Sequence, residues 1–309
     1  MNALVSVIMP AWRPRPDWLC DAVASILDES ACELELLVVD DGSEAPLAEL
    51  LAAIDDPRLR VIRVEHRGPY GARDAGLAAA RGAFVRFFDA DDIAEPGSTG
   101  RLLALAAAAG DETIAYGTTL VCDEDLVPRG ACGSELEGDV VEACLLDDFE
   151  VFVVSFLFPR AVVERAGAWE AGFSVSGDWD FVLRAVEQAP VRRLDEVVSR
   201  YRRHASSVTK TADVAAGARA GEQVLARYFA RHPQQRGTPL ERRAYLRLHL
   251  DRARAHAWRG EHRAAVRQLV RAARRDPLAA ALAAGRWGAS ALAARVAPIL
   301  RRRPHAGRS

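Results

Sequence analysis

Three aspartates fall within four residues, Asp89-Ala90-Asp91-Asp92, directly after the apolar run Ala83-Phe84-Val85-Arg86-Phe87-Phe88. That run predicts a buried strand, because aromatic and β-branched residues crowd it with almost no polar alternation. Carboxylates this close repel one another unless a cation sits among them. Mg²⁺ and Mn²⁺ take hard oxygen ligands, and Mg²⁺ is usually held by one or two carboxylates plus substrate phosphates. A strand ending in such a cluster suggests a metal-diphosphate site at the carboxyl edge of a sheet. Taken alone, the cluster reads better as a solvated acidic turn.

Two further strand ends change that weighting. Val38-Val39-Asp40-Asp41-Gly42-Ser43 is a second acidic edge, and the first strand ends in Pro10-Ala11-Trp12. Neighbouring strand ends lie roughly 5 Å apart, so Trp12, Asp41 and Asp89–Asp92 can line one crevice. An aromatic face beside a carboxylate suits a nucleobase. Stacking contributes about 1–3 kcal/mol per base, and a carboxylate accepts the N–H of uracil or guanine.

The elements that must position these groups alternate along the first hundred residues. Strands are expected over Leu4–Met9 (ended by Pro10), Leu34–Val39, Arg60–Val64 and Ala83–Phe88. Between them come a helix capped by Asp17, with apolar Leu19, Ala22, Val23, Ile26 and Leu27 on one face, a helix around Leu47–Ile54 and an Ala-rich helix over Tyr70–Arg81. Strand, helix, strand, helix at this spacing implies right-handed crossovers and a doubly wound α/β domain with a mostly parallel sheet flanked by helices. Residues 110–200 are less regular, with strands expected over Thr113–Tyr116, Val151–Phe158 and Val197–Tyr201 and a helix over Trp179–Gln188. Past about 210 only helices are expected: Asp213–Arg231, Glu241–Trp258, His262–Arg274 and Leu278–Leu300.

With 309 residues, half of them apolar, one large domain plus an appendage is the natural size. Charge divides the chain in the same place. Residues 1–190 hold 14 Arg against 35 Asp and Glu, net −21, while residues 191–309 hold 27 Lys and Arg against 8 acids, net +19. The acidic half has the wrong sign for a nucleic-acid surface, so no nucleic-acid partner is expected. Nothing at the start reads as a signal peptide. Five cysteines without a C-x-x-C pair fit reduced thiols in a cytoplasm better than a disulfide framework or a zinc site.

Five segments, in order, now carry a resemblance: V-S-V-I-M-P-A-W, L-L-V-V-D-D-G-S, G-A-R-D-A-G-L-A-A-A-R-G, F-V-R-F-F-D-A-D-D and G-D-W-D-F-V-L-R. Together they resemble glycosyltransferase family 2, inverting transferases of nucleotide sugars with a GT-A fold, over roughly residues 4–210. The resemblance implies a catalytic domain over 1–210, its nucleotide-sugar half about 1–110 and its acceptor half about 111–210, and a basic helical tail over 211–309. It implies a nucleoside-diphosphate-sugar donor, a hydroxyl acceptor that is a glycan, a lipid-linked or a small molecule, and Mn²⁺ or Mg²⁺ as cofactor.

Site residues follow from the same resemblance. Asp41 would contact the base, with Pro10 and Trp12 beside it and Asp40 supporting the loop. Arg73 would hold its helix against the donor, with Asp89 and Asp91 in the D-x-D region. Asp91 and Asp92 would lie nearest the divalent ion, and His204 would join the metal or diphosphate shell while Arg202 and Arg203 clamp phosphate. Asp178 matches the catalytic base, with Asp180 as the second candidate; read without the resemblance, Asp178 is the N-cap of its helix. Three positions depart from the pattern: Arg13 and Asp74 stand where the family usually has Asn, and Gly177 where Glu commonly precedes the base.

In the tail, Gly260, Ala265, Ala272 and Pro277 have the spacing of half a tetratricopeptide repeat, which predicts a helical hairpin. Leu278–Leu300 is interrupted by Arg286 and Arg295 too soon for a comfortable membrane span; it reads as a plain terminal helix or, as the alternative, an amphipathic helix in peripheral contact with an anionic membrane surface. A sugar nucleotidyltransferase is disfavoured, since Pro10-Ala11-Trp12-Arg13-Pro14 replaces a Gly-rich phosphate loop. The other alternative is a non-catalytic nucleotide-sugar-binding or scaffold module; the retained carboxylates argue against it.

Overall fold

The computed structural model describes residues 3–110, 112–173, 175–205, 214–282 and 285. The chain divides into two compact units, Met1–Ala212 and Asp213–Ser309.

In the first unit, β1 (Val5–Ala11), β2 (Leu34–Asp41), β3 (Leu59–Val64) and β4 (Phe84–Phe87) are parallel and ordered β3-β2-β1-β4. Every residue of β1, β2 and β4 is buried, polar Ser6, Glu35 and Arg86 included, as their predominantly apolar runs require of a sheet covered on both faces. β1 runs two residues past the expected end, with Pro10 beside Val39 and Ala11 beside Asp40. Proline is tolerated there because pairing with β4 stops at Ile8, which leaves that end of β1 paired on one side only.

The crossover helices are α1 (Pro16–Leu27), α2 (Leu47–Leu50) and α3 (Gly68–Ala79). Asp17 does not cap α1. Arg15 holds the N-cap position and Pro16 starts the helix, its ring pre-setting the helical φ, while Asp17 pairs back to Arg15 at 2.6 Å. α2 is a single turn rather than a helix to Ile54.

Antiparallel pairing enters in the second half. After β5 (Ile93–Ala94) and α4 (Ser98–Ala109) come β6 (Ile114–Cys122), β7 (Pro128–Cys132) and α5 (Val141–Leu145). β8 (Phe156–Pro159), α6 (Arg160–Ala166), α7 (Gly177–Val186) and β9 (Val191–Arg202) complete the unit. The sheet continues from β4 through β8, β6 and β9 to β5, with β7 on β6. β8 is antiparallel to both β4 and β6, whereas β6 and β9 are parallel. Val153–Ser155, expected as strand, is a short 3₁₀ turn. Fully buried Arg86 accounts for it, because its guanidinium donates to the Val154 carbonyl, to the Val198 carbonyl and to the hydroxyls of Ser98 and Thr99.

Beneath the site, Phe87, Phe158, Trp169 and Phe181 form an aromatic cluster with ring centroids 4.1–6.1 Å apart.

The second unit comprises α8 (Val214–Arg231), α9 (Pro239–Trp258) and α10 (His262–Arg275). Thr238 caps α9 by accepting the Glu241 amide, and Glu241 accepts the Gly237 amide. α9 and α10 form the expected hairpin, crossed by a 3.0 Å bond between His249 and Gln268. Most of Leu278–Leu300 lies outside the described residues. No helix among the described residues is long and apolar enough to cross a membrane.

Candidate active site

Parallel pairing puts the ends of β1, β2 and β4 on one edge of the sheet, and the loops leaving that edge carry most of the expected site residues. The turn after β2 is closed by Asp40, fully buried, whose oxygens accept the amides of Ser43 at 2.8 Å and Leu47 at 3.2 Å and the guanidinium of Arg63 at 2.9 Å. Gly42 has φ +73, and a Cβ there would meet the His66 backbone at 3.0 Å, so the turn requires glycine. Asp41 accepts the Arg67 amide at 2.8 Å, and its other oxygen lies 2.8 Å from His66 Nδ1. His66 also stacks on Trp12 with centroids 4.6 Å apart. Trp12 is 48% exposed, so its ring remains accessible beside Asp41. Arg13, with φ 46, places its guanidinium 4.9 Å from the Trp12 ring and pairs with Glu44. Pro10 is buried within β1.

The acidic run after β4 is held from several sides. Arg73 on α3 donates to Asp89 at 2.5 Å and lies 4.7 Å over the Trp169 ring. Asp74 accepts the Trp169 amide at 2.9 Å, which fixes the tryptophan against Arg73. Asp91 faces His204 at the end of β9, with Oδ2 2.8 Å from Nε2. Burial and the neighbouring Asp89 push the Asp91 carboxyl up, and the His204 contact opposes them. Asp92 is fully buried and accepts the Arg202 amide at 2.9 Å; its second oxygen has no hydrogen-bond partner among the described residues. Burial and its two aspartate neighbours raise its pKa well above the ordinary range.

Arg202 is no exposed phosphate clamp. It is buried, donates to the carbonyls of Asp91 and Glu124, and lies 5.0 Å over Trp18. Trp18 in turn packs on His204 at 4.7 Å. Arg203 is exposed.

Asp178 is the second residue of α7, not its cap; Ser176 precedes the helix with φ 64. One Asp178 oxygen accepts the Trp179 amide at 2.9 Å. Its carboxyl is pushed up by burial, pulled down by Arg73 and raised again by Asp89, so it shares one electrostatic neighbourhood with the Arg73–Asp89 pair. Asp180 is buried and paired with Arg184 at 2.9 Å.

Among the described residues, no group of three or more His, Cys, Asp or Glu side chains forms a preformed metal cage. Asp91 and His204 nevertheless offer one hard oxygen and one imidazole nitrogen, and their 2.8 Å contact is what a cation would replace. A two-ligand protein set completed by diphosphate oxygens and water is ordinary for Mg²⁺. Sequence reasoning missed His66, Tyr70, Trp18 and Trp169, whose roles depend on packing; only their place in loops or first turns at the carboxyl edge could have singled them out.

Comparison with known proteins gives the same picture. The chain is 30% identical over 202 residues to the uncharacterized protein y4gI of Sinorhizobium fredii, covering 63% of this chain and 21% of that protein. It is 42% identical over 95 residues to the succinoglycan biosynthesis protein ExoO of Rhizobium meliloti, covering 30% of this chain and 27% of ExoO. It therefore spans about a quarter or less of those relatives' length. The uncharacterized glycosyltransferase EpsJ of Bacillus subtilis is 28% identical over 222 residues, 68% of this chain and 64% of EpsJ. In fold, the crystal structure of S. aureus TarS 1–349 in complex with UDP-GlcNAc superposes with a TM-score of 0.61 at 16% identity, covering 82% of this chain and 72% of that one. Residues 6–132 match the family model Glycosyl transferase family 2, which places this region of the chain in that family.

Proposed function

We propose that this chain is an inverting glycosyltransferase that moves a sugar from a nucleoside-diphosphate sugar to a hydroxyl acceptor, with residues 1–210 as its catalytic domain and Asp178 as general base. The observation that carries this reading is the convergence of the Arg73–Asp89 pair, the Asp91–His204 pair and Asp178 around the edge formed by β1, β2 and β4. The donor class is supported by the TarS complex with UDP-GlcNAc, which shares the fold. Relatives named for succinoglycan and O-antigen biosynthesis favour a polysaccharide acceptor.

In a single in-line displacement, the acceptor oxygen attacks the anomeric carbon as the bond to the diphosphate breaks, and a carboxylate takes the acceptor proton. Asp178, lifted toward neutrality by burial, is a stronger base than a solvated aspartate. The dipole of α7 and nearby Arg73 keep its charged form accessible. Trp12, His66 and Asp41 would hold the base, and Arg73 would orient Asp89 toward the ribose-diphosphate. Asp91 and His204 would hold a divalent cation, with Asp92 bracing the loop from beneath; when bound, such an ion neutralises charge on the departing diphosphate. The test is a donor screen: UDP-GlcNAc, UDP-glucose, UDP-galactose and GDP-mannose with Mn²⁺, read as nucleoside diphosphate release. Binding of UDP or GDP without turnover of any donor, across glycan and lipid-linked acceptors, would favour the non-catalytic alternative.

A peripheral membrane role for Leu278–Leu300 belongs to the same proposal, tested by co-sedimentation of the full chain with vesicles containing phosphatidylglycerol.

A further inference from the structure

Gly177 stands where glutamate commonly precedes the base, and the structure shows what occupies the vacated volume. Tyr70, in the first turn of α3, is buried, and its hydroxyl accepts the Gly177 amide at 3.0 Å. A Cβ on residue 177 would lie 2.4 Å from the ring carbon Cζ of Tyr70. Only glycine fits while the ring stays where it is. Ser176, one residue earlier, has φ 64, a left-handed conformation that a non-glycine residue keeps when its surroundings enforce it.

The Tyr70 ring is itself fixed from behind. It faces Trp169 at 5.7 Å with 7° between planes, and Trp169 stacks on Phe181 of α7 at 4.1 Å. Asp74, four residues along α3 from Tyr70, holds the Trp169 amide. One wall of rings therefore ties α3, which carries Arg73, to the start of α7, which carries Asp178.

We propose that Tyr70 is the positioning residue for Asp178. By accepting the Gly177 amide it sets the entry of α7 one peptide before the carboxylate, and Tyr70 and Gly177 form a matched pair in which the ring replaces the side chain that residue 177 lacks. Tyr70 acts through the backbone, not on substrate. The proposal rests on Asp178 being the base.

Its test uses the full chain with Mn²⁺ and the UDP-sugar of the screen that releases UDP fastest. Tyr70→Phe keeps the ring and removes the acceptor oxygen. It should lower kcat about 10-fold, with donor KM and UDP affinity within about twofold of wild type, because a carboxylate displaced by a fraction of an ångström loses rate without losing donor. A role confined to packing would instead lower the melting temperature and leave kcat alone. Gly177→Ala should cost more, roughly 10²-fold, and Tyr70→Ser combined with Gly177→Ala should regain part of that loss, since serine clears the ring's volume. Wild-type kcat in Tyr70→Phe, or no recovery in the double variant, overturns the assignment of Tyr70 while an inactive Asp178→Asn leaves the base standing. An active Asp178→Asn overturns both.

Discussion

Asp91 Oδ2 and His204 Nε2 lie 2.8 Å apart although 113 residues separate them. Three layers hold the histidine in place: Trp18 packs on its ring, Arg202 packs on Trp18, and the Arg202 amide is taken by Asp92. The end of β9 is thereby locked to the loop after β4, which sets the separation of Asp91 and His204.

The first expectation concerns that pair. UDP with Mn²⁺ should raise the melting temperature of the wild type by mass action. Asp91→Ala should abolish the Mn²⁺-dependent part of the shift, and His204→Ala should weaken apparent Mn²⁺ affinity about 10-fold. An unchanged shift in Asp91→Ala would remove this aspartate from the ion site.

Asp178→Asn should leave the UDP-dependent shift intact and reduce transfer by roughly 10²–10⁴-fold. The pH profile offers an independent check. Burial raises the Asp178 carboxyl above its ordinary value, and a base works only when ionised. Activity should therefore be full at neutral pH and fall as pH drops through a midpoint above the ordinary aspartate value of about 3.9. A kcat/KM profile that stays flat to pH 4 would count against Asp178 as base.

How much of this was readable beforehand follows physical lines. β1, β2 and β4 were legible because buried parallel strands are written as predominantly apolar runs. β6 was expected only as far as Tyr116, since Gly117-Thr118-Thr119 carries no apolar signal; Thr119 is nonetheless fully buried, its hydroxyl bonded to Ser199 on β9 at 2.8 Å. β9 was expected from Val197 but starts at Val191. Its charged stretch Arg192–Glu196 is sustained by partners such as Glu137, which pairs with Arg192 at 2.9 Å. In the site, carboxylates at strand ends are local signals, so the placement of Asp40, Asp41 and Asp89–Asp92 at the ends of β2 and β4 was legible. The stacking of His66 under Trp12 and of Trp169 on Arg73 depends on tertiary placement that spacing does not encode.

Trp12→Ala should weaken UDP or GDP binding by about 1–3 kcal/mol, the usual worth of one base stacked on an aromatic ring. Calorimetric titration of nucleotide measures it directly. His66→Ala should cost less, because His66 reaches the base through Trp12, and an effect larger than that of Trp12→Ala would make His66 the primary contact. Neither variant should change global stability appreciably, since Trp12 is 48% exposed and the His66 side chain 52% exposed.

Arg86 makes the last prediction, and it separates fold from chemistry. Its guanidinium lies in the sheet interior with no carboxylate among the described residues bonded to it, and burial pulls its pKa down to about 10. Four groups accept from it: two carbonyls, on Val154 and Val198, and two hydroxyls, on Ser98 and Thr99. One side chain thus ties β4 to α4, β9 and the turn before β8. Arg86→Lys keeps the charge but offers three donors on a flexible stem in place of a planar fork. It should destabilise by roughly 2–4 kcal/mol, because acceptors are stranded and a charge is left under-bonded. Arg86→Met removes the charge but strands the same carbonyls, so it should cost no more than the lysine variant. Chemical denaturation in urea decides the order. If Arg86→Lys proves as stable as the wild type, the bonds at Val154 and Val198 are not what holds the two halves of the sheet together, and the apolar packing of Phe87 on Phe158 must carry that junction instead.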